Sequence, residues 1–324
     1  MSHYIGIDLG GTNLRAAIAD TATGQIFHPR KRPTLAAEGQ EAVIQRIVSL
    51  IRELTQANGT GNGSIKGVGI GVPGTPDIDT GVIQFLPNLP GKWLNVPLQE
   101  IIEDQVQLPV ALINDVRALT LGEWTFGAGR GADTVVCLAI GTGIGGGVVV
   151  NGQFHLGIGG TAGEFGHHVV EVDGLPCGCG GRGCLELYAS GPAIAAMGVK
   201  EVMHGHTTRI GELVEYDLNR INVEVVVRAA LEGDPIAKQI LQRVGRYLGI
   251  AVGNILGVIS PQRVIFGGGV SSAGDLLLTP IAQTLQERVH VIPIQKVEFV
   301  LAELGINGGL IGAALWAQRR CDGQ

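Results

Sequence analysis

The sequence predicts an α/β protein built as two domains, and three observations carry that reading. Apolar strand patterns alternate with helical ones along the chain. Its 324 residues suffice for two domains of roughly 150 residues each. A strand, glycine turn and strand near the N-terminus recur in similar form after Asp133.

Residues 4–9 (YIGIDL) and 14–19 (LRAAIA) read as strands joined by the turn Gly10-Gly11-Thr12. Between Glu41 and Leu54, Val43, Ile44, Ile47, Val48, Ile51 and Leu54 fall on one face at helical spacing. The stretch NGTGNGS at 58–64 then reads as a loop. A strand over 65–72 leads into a Pro- and Gly-rich segment from Pro73 to Gly91, a short helix near Pro97–Val106, and the strand VALIN ending at Asn114. TVVCLAIGTGIGGGVVVNG, from Thr134, repeats the N-terminal hairpin pattern and suggests an internal duplication. A cysteine- and glycine-rich insertion at 157–186 precedes a helical region, and residues 234–260 suit one long helix. QRVIFGGGVSSAG reads as strand, glycine turn and the start of a helix from Asp275 to Val289, and Gly308–Arg320 closes the chain as a short helix.

Composition removes several classes of function. Twenty-three Lys plus Arg against 29 Asp plus Glu give a net charge of -6, so no broad basic field favours nucleic acid or an anionic membrane surface. Leu248–Ile259, the longest nearly apolar stretch, is short of the ~18–20 residues a span requires. The start MSHYIGIDLGG has neither a basic leader nor a cleavable apolar core, and a cytoplasmic protein is expected. The 52 glycines lack a three-residue period, so they mark particular turns. Five cysteines include three within eight residues, which in a reducing compartment favours metal over disulfide; Cys137 and Cys321 read as bystanders.

Four constellations carry chemistry. Asp8 with Gly10, Gly11 and Thr12 follows an apolar strand. Bare turn amides and the Thr12 hydroxyl suit phosphate oxygens, and Asp8 suits a hydrated magnesium ion, although an ordinary tight hairpin has the same pattern. Gly141-Thr142-Gly143 repeats the arrangement, and Gly267-Gly268-Gly269 offers bare backbone to a ring or ribose, or simply the start of a helix. No GKS or GKT follows, and the glycines open hairpins, so neither a P-loop nor a dinucleotide fingerprint is present. Asn114-Asp115 ends a strand, where ligands gather in open α/β sheets. A carboxylate there can accept a proton from an attacking hydroxyl; it equally suits the N-cap of a helix starting near Val116. Finally, His167 with Cys177, Cys179 and Cys184 forms a three-sulfur, one-imidazole set typical of structural zinc, with His168 as the alternative ligand and a redox cluster as the alternative use. Glu164 and Glu186 flank the set as candidate acceptors for a polyhydroxylated ligand, or as surface charges.

These residues, in this order, resemble the ROK family (repressor, open reading frame, kinase) of sugar kinases, and the resemblance covers nearly the whole chain. It is carried by Asp8-Leu-Gly-Gly-Thr12, Gly71-Val-Pro-Gly74, Pro87-Asn88-Leu-Pro, Asn114-Asp115, Gly141-Thr-Gly-Ile-Gly-Gly146, Ala162-Gly-Glu-Phe-Gly-His167, Cys177-Gly-Cys179-Gly-Gly-Arg-Gly-Cys184-Leu-Glu186 and Phe266-Gly-Gly-Gly269. It implies a two-domain actin-like ATPase (ribonuclease H-like) fold, with a small α/β domain of residues 1–115 and 305–324 and a large α/β domain of residues 116–304 that carries a zinc-binding segment at 164–186. It further implies magnesium-ATP as phosphate donor, closure of the domains over a sugar, and a homo-oligomer, dimer or larger. By resemblance Asp115 is the general base toward a sugar 6-hydroxyl. Asn88, Asn114, Glu164, His167 and Glu186 correspond to positions that hold sugar hydroxyls, and His167 serves both zinc and sugar. Glucose is the expected acceptor, with N-acetylglucosamine, N-acetylmannosamine and fructose as alternatives. A non-catalytic sugar sensor and a filament ATPase are the readings from other classes. Family repressors carry a helix-turn-helix domain before the first hairpin, and the hairpin at residue 4 leads one to expect none here. Arg117 departs from the small or amide residue common in family glucokinases, and it is expected to face solvent, a partner subunit or the substrate.

Overall fold

The computed structural model describes residues 3–58, 64–86, 89–91 and 93–323. The chain forms two compact units: Met1–Gly131 with Phe154–Ala162 and Glu303–Gln324, and Ala132–Gln153 with Gly163–Ala302. The first unit thus takes in residues 116–131, 154–162 and 303–304, which the sequence suggests for the large domain. The loop read at 58–64 falls largely on residues 59–63, outside the described residues.

In the first unit, β1 (His3–Leu9), β2 (Asn13–Asp20) and β3 (Ile26–Pro33) run antiparallel, and α1 (Gln40–Ala57) leads to β4 (Ile65–Val72), parallel to β1. A small hairpin of β5 (Thr75–Asp77) and β6 (Val82–Phe85) occupies the segment read only as Pro- and Gly-rich. Then α2 (Leu98–Val106) precedes β7 (Val110–Asn114), which pairs in parallel with β4, and α3 (Asp115–Phe126) follows directly. The sheet order is β3-β2-β1-β4-β7.

Strand periodicity assigns the two faces of this sheet. Ile5, Ile7 and Leu9 of β1 with Val68, Ile70 and Val72 of β4 pack in one core with the apolar stripes of α1 and α2. The alternate positions of these strands hold Gly6, Gly67, Gly69 and Gly71. This bare stripe receives the C-terminal helix (Asn307–Cys321), which also packs along α3. A Cβ on Gly69 would stand 1.7 Å from the Ala313 carbonyl oxygen, and one on Gly312 would stand 1.6 Å from the Ala118 carbonyl oxygen. Backbone therefore lies against backbone, and buried Trp316 donates its indole N–H to the Leu112 carbonyl at 2.8 Å across the same face.

The second unit repeats the plan. β8 (Val135–Ile140), β9 (Ile144–Val150) and β10 (Gln153–His155), whose last two residues count with the first unit, are followed by α4 (Glu186–Ala189), α5 (Gly191–Met203), α6 (Arg209–Leu213), α7 (Val223–Leu231) and α8 (Pro235–Ile259). β11 (Arg263–Gly267), α9 (Asp275–Arg288) and β12 (Glu298–Leu301) complete it, with sheet order β10-β9-β8-β11-β12. In both sheets an antiparallel hairpin is extended by two parallel strands, so the duplication suggested by the glycine hairpins extends to whole sheets. Asp234 caps α8 through the Ala237 amide at 2.7 Å, Pro235 occupies the first turn, and Ser260 ends it in the left-handed region, close to the expected limits.

Gly69→Ala is expected to destabilise the protein by about 1–3 kcal/mol or more, because only backbone separation makes room for the methyl. Gly309→Ala on the C-terminal helix, where an added Cβ meets nothing within 4 Å, is expected to be neutral or mildly stabilising. Urea unfolding of both variants checks the pair, and equal stabilities would contradict the packing described.

Candidate active site

The β1–β2 turn is held from beneath by Thr34, whose side-chain hydroxyl donates to the Gly10 carbonyl at 2.6 Å and whose amide donates to the Thr12 carbonyl at 2.9 Å. Gly11 and Thr12 are exposed at its tip. One strand residue back, Asp8 faces its cross-strand neighbour Arg15, and the Arg15 Nη1–Asp8 Oδ2 distance is 3.2 Å. The sequence reading passed over Thr34 and Arg15. Arg15 left a signal, as the one charge within the apolar run LRAAIA; Thr34, 24 residues from Gly10, left none.

Asn114 and Asp115 stand at the carboxyl end of β7, in the same sheet. The N-cap of α3 is Asn114 and not Asp115: its side-chain oxygen accepts from the Val116 amide at 3.0 Å and the Arg117 amide at 3.2 Å. Its side-chain nitrogen donates to the Gly74 carbonyl at 3.0 Å, tying the Gly71–Gly74 motif to the strand end. Asp115, the first residue of the helix, is thereby held at a fixed point while its carboxylate accepts from the Val116 amide at 2.8 Å. Burial, and then the negative charge of Asp8, push its carboxyl up to about 7, against the lowering effect of the Val116 amide and Arg117. Asp8 is also raised by burial, with Arg15 opposing. A carboxylate poised near neutrality and a second one beside a phosphate-type turn suit proton acceptance and cation binding respectively.

In the second unit, the Gly141–Gly143 turn lies between β8 and β9, and Gly268 packs on the end of β8 with φ 83°. A Cβ there would lie 2.3 Å from the Ile140 carbonyl oxygen, so only glycine brings the third turn against the second. Glu186 begins α4, and its carboxylate accepts from the Ile144 amide at 2.9 Å, while the Gly191 amide donates to the Gly141 carbonyl at 2.8 Å. The Gly141–Gly143 hairpin and Glu186 are thus one braced structure. Glu164 is exposed, and its carbonyl accepts from the His167 amide. Asn88 lies outside the described residues.

His167, Cys177, Cys179 and Cys184 converge, with their ligand atoms all within 4.8 Å of one another. The Cys179 and Cys184 sulfurs are 3.7 Å apart, and Cys177 Sγ lies 3.9 Å from His167 Nδ1. Tetrahedral zinc with Zn–S bonds of about 2.3 Å sets sulfurs about 3.8 Å apart, so the donor set fits that ion. His168 instead packs edge-on to Phe165 at 5.3 Å and is not in the cluster. Backbone bonds from Cys177 N to the Gly181 carbonyl and Gly180 N to the Cys177 carbonyl shape the loop. Tyr188, absent from the sequence reading, accepts from the Leu175 amide at 2.9 Å and stacks on Tyr247 of α8, fixing the loop to a long helix. Cys137 is buried in β8, and Cys321 is exposed at the end of the chain.

The ROK family model matches residues 4–320, and the chain belongs to the ROK family. It is 37% identical to a glucokinase of Thermotoga maritima over 98% of both chains, and 34% identical to a glucokinase of Halalkalibacterium halodurans over 95% of this chain and 93% of the other. The crystal structure of a ROK family glucokinase from Streptomyces griseus, in complex with glucose and AMPPNP, superposes with a TM-score of 0.86 at 33% identity, covering 98% of this chain and 100% of that one. The two sheets belong to the actin-like ATPase fold. No helix among the described residues is long and apolar enough to cross a membrane.

Metal analysis of the purified protein is expected to give about one zinc per chain, and Cys179→Ser, at an exposed ligand, should lose most of it. Full zinc content in that variant would remove Cys179 from the site.

Proposed function

We propose that this chain is an ATP-dependent kinase that transfers the γ-phosphoryl group to the 6-hydroxyl of glucose. The observation that carries the reading is Asp115, fixed at the end of β7 with its carboxyl raised to about 7 in the same unit as the Asp8 turn. The glucokinase relatives across nearly the full length support the acceptor and donor.

In this reading the glucose 6-hydroxyl oxygen attacks the γ-phosphorus, the bond to the ADP oxygen breaks, and the hydroxyl proton passes to the Asp115 carboxylate. The amides and hydroxyl at Gly10, Gly11 and Thr12, with those at Gly141–Gly143 and Gly267–Gly269, are assigned to the nucleotide and its phosphates. Asp8 is assigned to the waters of magnesium, which when bound neutralises phosphate charge. Asn88, Asn114, Glu164, His167 and Glu186 are assigned to the sugar hydroxyls. The observed bonds support a bracing task for two of them, because Asn114 already serves α3 and Gly74, and Glu186 serves Ile144. His167 turns Nδ1 toward the sulfurs, which supports Nε2 as its sugar-facing nitrogen. Zinc would act through geometry alone, by holding that ring. We also propose that the enzyme works in the cytoplasm as a homo-oligomer, dimer or tetramer.

A coupled ADP-release assay with magnesium-ATP against glucose, mannose, fructose, N-acetylglucosamine and N-acetylmannosamine tests the reading. Glucose is expected to give the highest kcat/KM, and Asp115→Asn to lower kcat by about 10²–10⁴-fold with glucose KM within a few-fold of wild type. Preference for an N-acetylhexosamine or fructose would replace the acceptor, and unchanged turnover in the variant would remove Asp115 as base.

A further inference from the structure

Arg117 departs from the family pattern, and the structure gives it a definite place. It neither faces solvent nor is left for a partner subunit: it is 2% exposed, in the first turn of α3, two residues after Asp115. Its amide is bound by the Asn114 cap, and its Nε donates to the Ala162 carbonyl at 2.9 Å. Ala162 ends the returning segment Phe154–Ala162 of the first unit. The Ala162 amide donates to the Leu156 carbonyl at 2.8 Å, which closes that segment into a loop, and Gly160 packs near Ile78 behind β5. A buried guanidinium fixes its partners through a planar, delocalised charge and a rigid fork of donors, and its removal leaves the Ala162 carbonyl without that donor.

We propose that Arg117 is a positioning residue for phosphoryl transfer, which locks the turn carrying Asp115 to the loop Phe154–Ala162 of the same unit. The proposal rests on the reading of Asp115 as the base. Two consequences follow, one from this bond and one from the charge. First, the bond from Nε to Ala162 sets the resting position of the first turn of α3, so its loss displaces Asp115 from the attacking hydroxyl. Second, the guanidinium is a positive charge near Asp115. The charged groups that bear on that carboxyl are Asp8 of β1, which raises its pKa, and Arg117 of α3, which lowers it, with Arg15 of β2 paired to Asp8. Removing the Arg117 charge therefore moves the protonation of Asp115 to higher pH, an effect that a purely structural strut would not produce.

The test compares Arg117→Met, Arg117→Gln and Arg117→Lys in the full chain, each first checked for wild-type zinc content and circular dichroism. For Arg117→Met and Arg117→Gln, kcat with glucose is expected to fall about 10–100-fold while the KM for ATP stays within about two-fold. The acid limb of the kcat–pH profile is expected to move to higher pH in both. Arg117→Lys, which keeps the charge and one donor, should return the acid limb to its wild-type position and recover part of kcat. In an Asp115→Asn background the Arg117 change should cost no further turnover. A folded Arg117→Met or Arg117→Gln protein with wild-type kcat and acid limb would overturn the proposal, as would Arg117→Lys behaving no better than Arg117→Met. Should Arg117→Met fail to fold, the Lys and Gln comparison decides the matter alone. Asp115→Asn with full turnover would instead overturn the assignment of the base, whatever the Arg117 variants do.

Discussion

Two carboxylates stand toward the carboxyl ends of strands in one sheet, and their burial, with the Asp8 charge added at Asp115, is the constraint to which the rest of the first unit answers. Asp8 is the penultimate residue of β1 and Asp115 follows β7, with β4 between those strands. Burial and the Asp8 charge raise Asp115 to about 7. Like charges held in low dielectric separate the tasks of a pair, one carboxyl becoming a base near neutrality and the other a site for a cation. Arg15 opposes the rise at Asp8 and Arg117 opposes it at Asp115, so each carboxylate has its own positive neighbour.

That arrangement needs a rigid sheet edge, and the bare glycine face provides it. Because Gly6 and Gly69 carry no side chain, the C-terminal helix settles backbone to backbone on β1 and β4 and wedges α3 against them. Asp115 sits at the N-terminus of α3, so the same close approach that excludes a methyl at Gly69 fixes the carboxylate. In the second unit the comparable work is divided among Glu186, Gly268 and the cysteine set. They hold the glycine turns and His167 through a carboxylate–amide bond, a left-handed backbone position, and convergence of four ligand atoms.

Much of this was legible in the chain. The strand pattern of β1 and β2, the helical face of α1, the Asp234–Pro235 start of α8 and the spacing of the three cysteines each express a local rule, and local rules survive into the fold. The alternation in IKGVGIGV was equally readable as one apolar and one bare strand face, although only the fold shows that a helix from the far end of the chain occupies it. What lay hidden depends on distant partners. Thr34 braces Gly10, Tyr188 rests on Tyr247, and Glu123, 0% exposed, accepts from the amides of Glu303 and Leu304. Residues 116–131 join the first unit for the same reason: α3 packs on a helix about two hundred positions away in sequence, and no local pattern records that.

The fold itself, before any ligand binds, raises one particular aspartate, Asp115, toward neutrality. Selective ¹³C-carboxyl labelling of aspartate and an NMR titration of the ligand-free protein test it directly, with Asp115→Asn as the assignment. One carboxyl resonance is expected to titrate near 7, ionised above that pH and protonated below it, and to be missing from the variant. All aspartates titrating near their usual value of about 3.9, or a resonance near 7 that survives the substitution, would contradict it.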